Sequence, residues 1–321
     1  MNMDEDEMRV PVFLITGFLE SGKTTFLNGT LRQDYFQMDD TTLLINCEEG
    51  ECEYDVKDLK KYRTKLVQVE DQEQFTSEYL RELDHKYHPA RVLLEYNPLW
   101  GVGAFEEMEL PEGWGILQEI VTVDTGTFQV YMNNMKSLFV DMTRNAELVI
   151  FNRADPENQP LANFRRSIKV TNPACQVMFE DADGNITDIF EDTVPYDLDA
   201  DPIVIDDVDF GIFFVDVRDN PDRYRGKQVR FKGRVLKSRH ENAKFFVPGR
   251  QAMTCCAEDT QFIGYICESA FAPKLKTGEW VEVTADVDWK YEDAYGEEGP
   301  VMIARSIKAA KAPDVDMVYF T

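Results

Sequence analysis

Apolar positions in the first half of the chain fall into short continuous runs separated by stretches of helical period. Residues 10–16 form a β-branched run, followed by a glycine-rich turn and a helical pattern over 23–33. Extended runs recur at 41–46, 65–69, 91–95, 115–124, 147–151 and 176–179, with helical patterns at 56–62, 71–83, 127–144 and 164–169. Strands spaced by helices predict βαβ units and a mostly parallel sheet, hence an α/β fold. Residues 180–210 change character: Asp and Glu are dense, and Lys and Arg are absent. Such a single-sign tract reads as a solvated linker. Beyond it the period falls to two. Val229, Phe231, Gly233 and Val235 alternate with their neighbours over 228–237, and strands are predicted at 244–247, 261–268, 279–287 and 300–306. Pro248-Gly249, Thr277-Gly278 and the turn at 296–299 part them. Short strands at this spacing predict a small all-β, OB-like barrel. The expected organisation is an α/β domain over 8–180, an acidic linker over 181–209 and a β domain over 210–321.

Charge narrows the partners. The 321 residues carry 34 Lys and Arg against 60 Asp and Glu, a net charge of −26. A protein that tracks nucleic-acid phosphates needs a basic footprint, and one that rests on an anionic membrane needs a basic face. Neither nucleic acid nor a membrane surface is therefore an expected partner. No run approaches the roughly 18 apolar residues of a bilayer span, so the chain is not expected to be membrane-embedded. The acidic start, Asp4-Glu5-Asp6-Glu7, is unlike a secretory signal. Six scattered cysteines do not form a disulfide framework. A cytoplasmic setting with reduced thiols is expected.

A small bound polyanion remains compatible with the acidity, because a loop can hold it locally. Gly17-Phe18-Leu19-Glu20-Ser21-Gly22-Lys23-Thr24 fits G-x-x-x-x-G-K-[ST] between a predicted strand and a predicted helix. Glycines let such a loop curl so that successive N–H groups face phosphate oxygens, and the helix start adds its positive end. The expected cradle is Gly17, Glu20, Ser21, Gly22, Lys23, Thr24 and Thr25. Lys23 supplies charge to the β- and γ-phosphates, and Thr24 offers a hydroxyl to Mg²⁺. The second Mg²⁺ residue is expected at the end of a neighbouring strand. Glu95, closing the run 91–95, is assigned that place.

The run 148–151 ends in Asn152-Arg153-Ala154-Asp155, which is similar to the N-K-x-D guanine motif with Arg for Lys. Guanine offers N1–H and N2–H₂ together to one carboxylate, and adenine does not. Asp155 can accept both, and an adenine would leave it unpaired. Asn152 is expected to brace the loop and Arg153 to cover the base face. The backbone at Ala174 is placed near guanine O6. The ligand expected is thus GTP or GDP.

With these motifs in place, the G-F-L-x-S-G-K-T-T stretch resembles the CobW-like metallochaperone GTPases. Asn46-Cys47-Glu48-Glu49-Gly50-Glu51 is similar to that family's first switch, and Asn172-Pro173-Ala174 to its N-P-x-A loop. The family's C-x-C-C metal motif is missing; the corresponding region reads Val67-Gln68-Val69-Glu70-Asp71-Gln72-Glu73. Its second switch, E-x-x-G, reads Glu95-Tyr96-Asn97-Pro98. The resemblance implies a P-loop GTPase in zinc homeostasis or metal-cofactor delivery, with a metalloprotein client. Its catalytic set is Lys23, Glu48, Glu49 and Glu95. With no catalytic glutamine or arginine finger evident, slow turnover is expected, accelerated by a partner or by homodimerisation. Residues 249–259 and 224–235 resemble the soluble C-terminal domain of YcgQ-like permease-associated proteins, which implies a membrane permease as the other candidate partner. A non-catalytic GTP-dependent switch acting on such a partner is the alternative.

Soft ligands are also present. Cys255, Cys256 and Cys267 share the predicted β domain and suit Zn²⁺, with His240 nearby. Adjacent strand residues point to opposite faces, so the Cys255-Cys256 pair shares a shell only at a turn or bulge. Cys47 and Cys52 in the first switch are a further thiol pair.

Overall fold

The computed structural model of the protein describes residues 8–48, 50, 53–187, 193–237, 244–256, 259–314 and 316–318. The chain divides into two compact units, residues 1–190 and 191–321.

The first unit is built on β1 (Val10–Thr16), β2 (Thr42–Asn46), β3 (Thr64–Gln68), β4 (Arg91–Glu95), β5 (Trp114–Asp124), β6 (Leu148–Asn152), β7 (Gln176–Glu180) and β8 (Ile186–Thr187). They lie in the order β3-β2-β4-β1-β5-β6-β7-β8. The first seven are parallel, and only β8 runs antiparallel, against β7. The helices are α1 (Lys23–Arg32), α2 (Val56–Lys61), α3 (Ser77–Tyr87), α4 (Val102–Glu106), α5 (Phe128–Asn134), α6 (Lys136–Thr143) and α7 (Leu161–Thr171).

The central strands are mostly apolar because both faces are covered. Leu14, Leu43, Ile45, Leu94, Val121 and Phe151 face one core, closed by Leu80, Phe105, Phe139 and Phe164 from the helices. The alternate residues Ile15, Leu44, Leu93, Ile120 and Ile150 face the other, closed by Leu27 and Leu31 of α1 and Leu59 of α2. The helical pattern over 127–144 resolves into two helices that break at Met135 (φ −134°). Asn134 Nδ2 bonds back to the Val130 carbonyl at 2.8 Å, a local competitor of the helix ladder.

In the second unit, β9 (Ile203–Val204) and α8 (Phe210–Asp219) precede β10 (Gln228–Lys237), β11 (Phe245–Cys256), β12 (Asp259–Gly264), β13 (Cys267–Glu268), β14 (Trp280–Glu292), β15 (Glu297–Ala309) and β16 (Met317–Val318). Pairings β10–β11, β11–β13, β13–β15, β15–β14 and β14–β10 close a ring, with β13 and β15 parallel. This is the OB-like barrel. Beside the ring, β12 and β16 extend β11, and β9 pairs with β10. Residues 210–219 are a helix, where a β pattern was expected to begin. Phe210, Phe213 and Val217 recur at helical spacing and are buried, the two rings against Phe231. Arg250 is only 1% exposed. Its guanidinium reaches the Asp207 carboxylate at 2.6 Å and the Lys232 carbonyl at 3.1 Å, and lies over Phe210 and Trp280. The tract expected as a linker is ordered at both ends: β8 joins the first sheet and β9 the second. Among the described residues, no helix is long and apolar enough to cross a membrane.

Glu119 of β5 is buried, and its carboxyl is pushed up to about 8, first by burial and then by Glu106 and Glu147. The folded chain therefore keeps a proton that the unfolded chain releases near its ordinary 4.5. This contribution to stability is full below that value and is lost as pH rises toward 8. Thermal melts between pH 5 and 8 should show the wild type losing stability across the window, and Glu119→Gln following a flatter curve.

Candidate functional site

The loop between β1 and α1 leaves the centre of the sheet, where β1 lies between β4 and β5. Ligands in open α/β sheets bind at the carboxyl ends of the strands, which is where this loop sits. Its curl needs glycine twice. Gly17 has φ +145°, and a Cβ there would stand 2.3 Å from the Thr122 carbonyl oxygen. Gly22 has φ +100°, and a Cβ would stand 2.4 Å from Asn152 Nδ2. The Ser21 and Thr122 hydroxyls are hydrogen-bonded at 2.7 Å. Asn152 Nδ2 donates to the Ser21 carbonyl, so the residue expected to brace the loops does touch the glycine-rich turn. Its Oδ1 is buried without a partner among the described residues.

Lys23, only 3% exposed, points its ammonium back into the loop. It donates to the carbonyls of Gly17 at 2.7 Å and Phe18 at 3.0 Å, and pairs with Glu48 Oε2 at 2.5 Å. Register places Ile15 opposite Glu95, so the carboxylate that ends β4 emerges beside the loop. Thr24 Oγ1 donates to Glu95 Oε1 at 2.8 Å, and the Tyr54 hydroxyl donates to Oε2. Burial pushes the Glu95 carboxyl up, opposed by the bonds from Tyr54 and Thr24 and by Lys23. A cleft of about 210 Å³ is lined by Glu20, Gly22, Lys23, Thr24, Thr25, Glu48, Glu95 and Arg153, among others. Residues from the turn, from β4 and from the ends of β2 and β6 thus converge.

The residues expected on the base side are arranged differently. Arg153 takes φ +55°. It reaches the Glu20 carbonyl at 3.3 Å and pairs with Asp124. Asp155 lies outside the lining of the cleft. Its Oδ2 accepts from Asn158 Nδ2 at 2.7 Å and its Oδ1 from the Glu157 amide at 3.1 Å. The Asn158 bond leads the causes that hold its carboxyl below the usual range. Asn172 fixes the Ala174 loop by donating to the carbonyls of Thr143 at 3.0 Å and Ala146 at 2.8 Å. Sequence reasoning missed Tyr54, Thr122 and Asp124; none belongs to a spaced motif, and only the fold brings them to the turn.

The backbone places Cys267 and the Cys255-Cys256 pair apart along β11. Cys267 is paired with Phe246 at the start of β11, whereas Cys255 and Cys256 end that strand. At about 3.3 Å per residue, roughly 30 Å of strand separates them. Cys267 is fully buried, and burial pushes its thiol up to about 12. Among the described residues, no three His, Cys, Asp or Glu side chains form a metal cluster. Glu49, Cys52 and His240 lie outside the described residues, as do the side chains of Cys255 and Cys256. Cys47, just past β2, is buried, and burial raises its thiol well above the ordinary range.

The family model described as CobW/HypB/UreG, nucleotide-binding domain, matches residues 11–179, just over half of the chain. That of the DUF1980 C-terminal domain matches residues 184–320. Among solved structures, the chain is similar to hydrogenase maturation factor HypB from Archaeoglobus fulgidus, at 14% identity over 56% of this chain and 84% of that one, with a TM-score of 0.37. HypB from Helicobacter pylori in complex with nickel aligns at 14% identity over 56% and 81%, with a TM-score of 0.35. The mitochondrial single-stranded DNA binding protein Rim1 from S. cerevisiae aligns at 15% identity over 26% and 94%, with a TM-score of 0.18. No curated protein matches.

The closeness of Gly17 to β5 sets a test of the turn itself. Gly17→Ala should cost about 2 kcal/mol or more, because both φ and the Thr122 contact must change. Urea unfolding of the variant against the wild type measures it.

Proposed function

This chain belongs to the CobW/HypB/UreG family through its nucleotide-binding domain, and on that premise we propose that it is a Mg²⁺-dependent GTP-binding protein and GTPase serving metal homeostasis or metal-cofactor delivery. One observation carries the reading: a buried lysine ammonium caged by its own loop, beside a threonine hydroxyl and a buried strand-end carboxylate in mutual contact. Lys23 binds β- and γ-phosphate oxygens and offsets the charge that develops as the terminal phosphoryl group passes to water. Gly17, Glu20, Ser21, Gly22, Thr24 and Thr25 turn backbone N–H groups toward the same oxygens. Thr24 and Glu95 form a hard oxygen donor pair that fits Mg²⁺, which when bound neutralises phosphate charge. Glu48 and Glu49 order around metal or water. Asp155, held ionised by its hydrogen bonds, accepts N1–H and N2–H₂ of guanine. Asn152 joins base loop to phosphate loop, Arg153 covers the base, and the backbone at Ala174 faces O6.

A specific feature favours the second reading, a GTP-dependent switch that turns over slowly or not at all while it acts on a permease or other protein partner. The fourth residue of Glu95-Tyr96-Asn97-Pro98 is a proline, buried at the head of a short 3₁₀ turn. It has no N–H to offer an anion. Single-turnover hydrolysis with pre-bound GTP separates the two: phosphate release supports the enzyme, and stable bound GTP supports the switch.

Lys23→Ala should abolish tight GTP binding in calorimetry; unchanged affinity removes Lys23 from the phosphate site. Asp155→Asn should weaken GTP by about tenfold or more and shift preference to xanthosine nucleotides. Competition between GTP and XTP reads this, and a retained guanine preference would reject the base assignment.

A further inference from the structure

The ammonium of Lys23 has three N–H donors. Among the described residues, three acceptors engage it: the Gly17 carbonyl at 2.7 Å, the Phe18 carbonyl at 3.0 Å and the Glu48 carboxylate at 2.5 Å. Glu48 therefore stands where an anionic ligand of the cleft would stand. It is fixed from its own backbone: its amide donates to Asn46 Oδ1 at 3.1 Å, and Gln68 Nε2 donates to its carbonyl at 3.3 Å. Six residues on, Tyr54 is also buried, and its hydroxyl donates to the second oxygen of Glu95. Two described residues between β2 and α2 thus cover both the cationic and the anionic pole of the cleft.

We propose that Glu48 and Tyr54 are an internal plug of the nucleotide site: Glu48 mimics a phosphate on Lys23, and Tyr54 stands in for the cation on Glu95. The inference rests on the nucleotide reading above and deepens it. A ligand must bring an anion for Lys23 to release Glu48, and a divalent cation for Glu95 to release Tyr54. A metal-loaded nucleoside di- or triphosphate brings both, so it displaces both residues at once. A free nucleoside brings neither. The device selects the metal-bound nucleotide and couples its arrival to the release of Glu48 and Tyr54.

Calorimetric titration of the full chain with GDP and with a non-hydrolysable GTP analogue, with and without Mg²⁺, tests the plug. Glu48→Gln should tighten both nucleotides about tenfold, because their phosphates no longer displace a charged competitor. Glu48→Asp keeps the charge but shortens the reach to Lys23, and it should tighten them as well. Tyr54→Phe should tighten binding only when Mg²⁺ is present. If Glu48→Gln tightens binding and Glu48→Asp does not, simple charge repulsion explains the effect and the plug is overturned. If the wild type binds through Lys23 and both Glu48 variants match it, the plug alone fails. If neither the wild type nor any variant binds nucleotide, the nucleotide reading fails and the plug falls with it.

Discussion

A lysine ammonium withdrawn almost wholly from water must be compensated at once, because an uncompensated buried charge costs several kcal/mol. Much of the first unit follows from that demand at Lys23. Two carbonyls of its own turn point inward at it, which requires a backbone path that only glycine follows easily at Gly17 and Gly22. The third acceptor is a carboxylate brought from the end of β2. The turn is pinned from outside by Thr122 of β5 and Asn152 of β6, so two neighbouring strands hold one loop. This is the preorganisation that anion recognition needs: the cost of gathering the donors is met in folding rather than in binding.

The sheet supplies the geometry. A central β1, flanked by β4 and β5, places Glu95 and Thr122 on either side of the turn. Those strands are apolar at nearly every interior position because helices cover both faces, and polar side chains therefore concentrate at the strand ends. Glu95, at the end of β4, is a carboxyl buried at the edge of the core and held by two hydroxyls. Burial raises its pKa and the two donors lower it, so its charge state depends on which partners stay.

The second unit solves a different problem. Short strands leave exposed edges, and closing five of them into a ring removes most of these. Its buried cation, Arg250, is stabilised by one carboxylate, two carbonyls and two aromatic faces. It spans β11, β10 and the segment before α8, which ties residues ahead of the barrel to its wall.

Much of this was legible in the chain. The alternation of apolar runs with helical periods identified the parallel sheet, since period 2 and period 3.6 leave different marks. The glycine-lysine turn between strand and helix was legible as a compact loop, because its curl is built by consecutive residues. The resemblances read at 17–25 and 249–259 fall within the stretches matched by the two family models. Other features were decided only in three dimensions. Helix α8 lay hidden in an acidic surround, and its pattern became meaningful only once Phe231 was there to receive it. Cys267 and the Cys255-Cys256 pair looked close in sequence, yet a continuous strand holds them at opposite ends. Tyr54 belongs to no motif that spacing reveals, and the resemblance that marked Glu48 did not pair it with Lys23; the two meet Glu95 and Lys23 because β2 lies beside β4 and β4 beside β1. Local chemistry is written along the chain, whereas contacts between distant residues depend on strand order, which no short segment encodes.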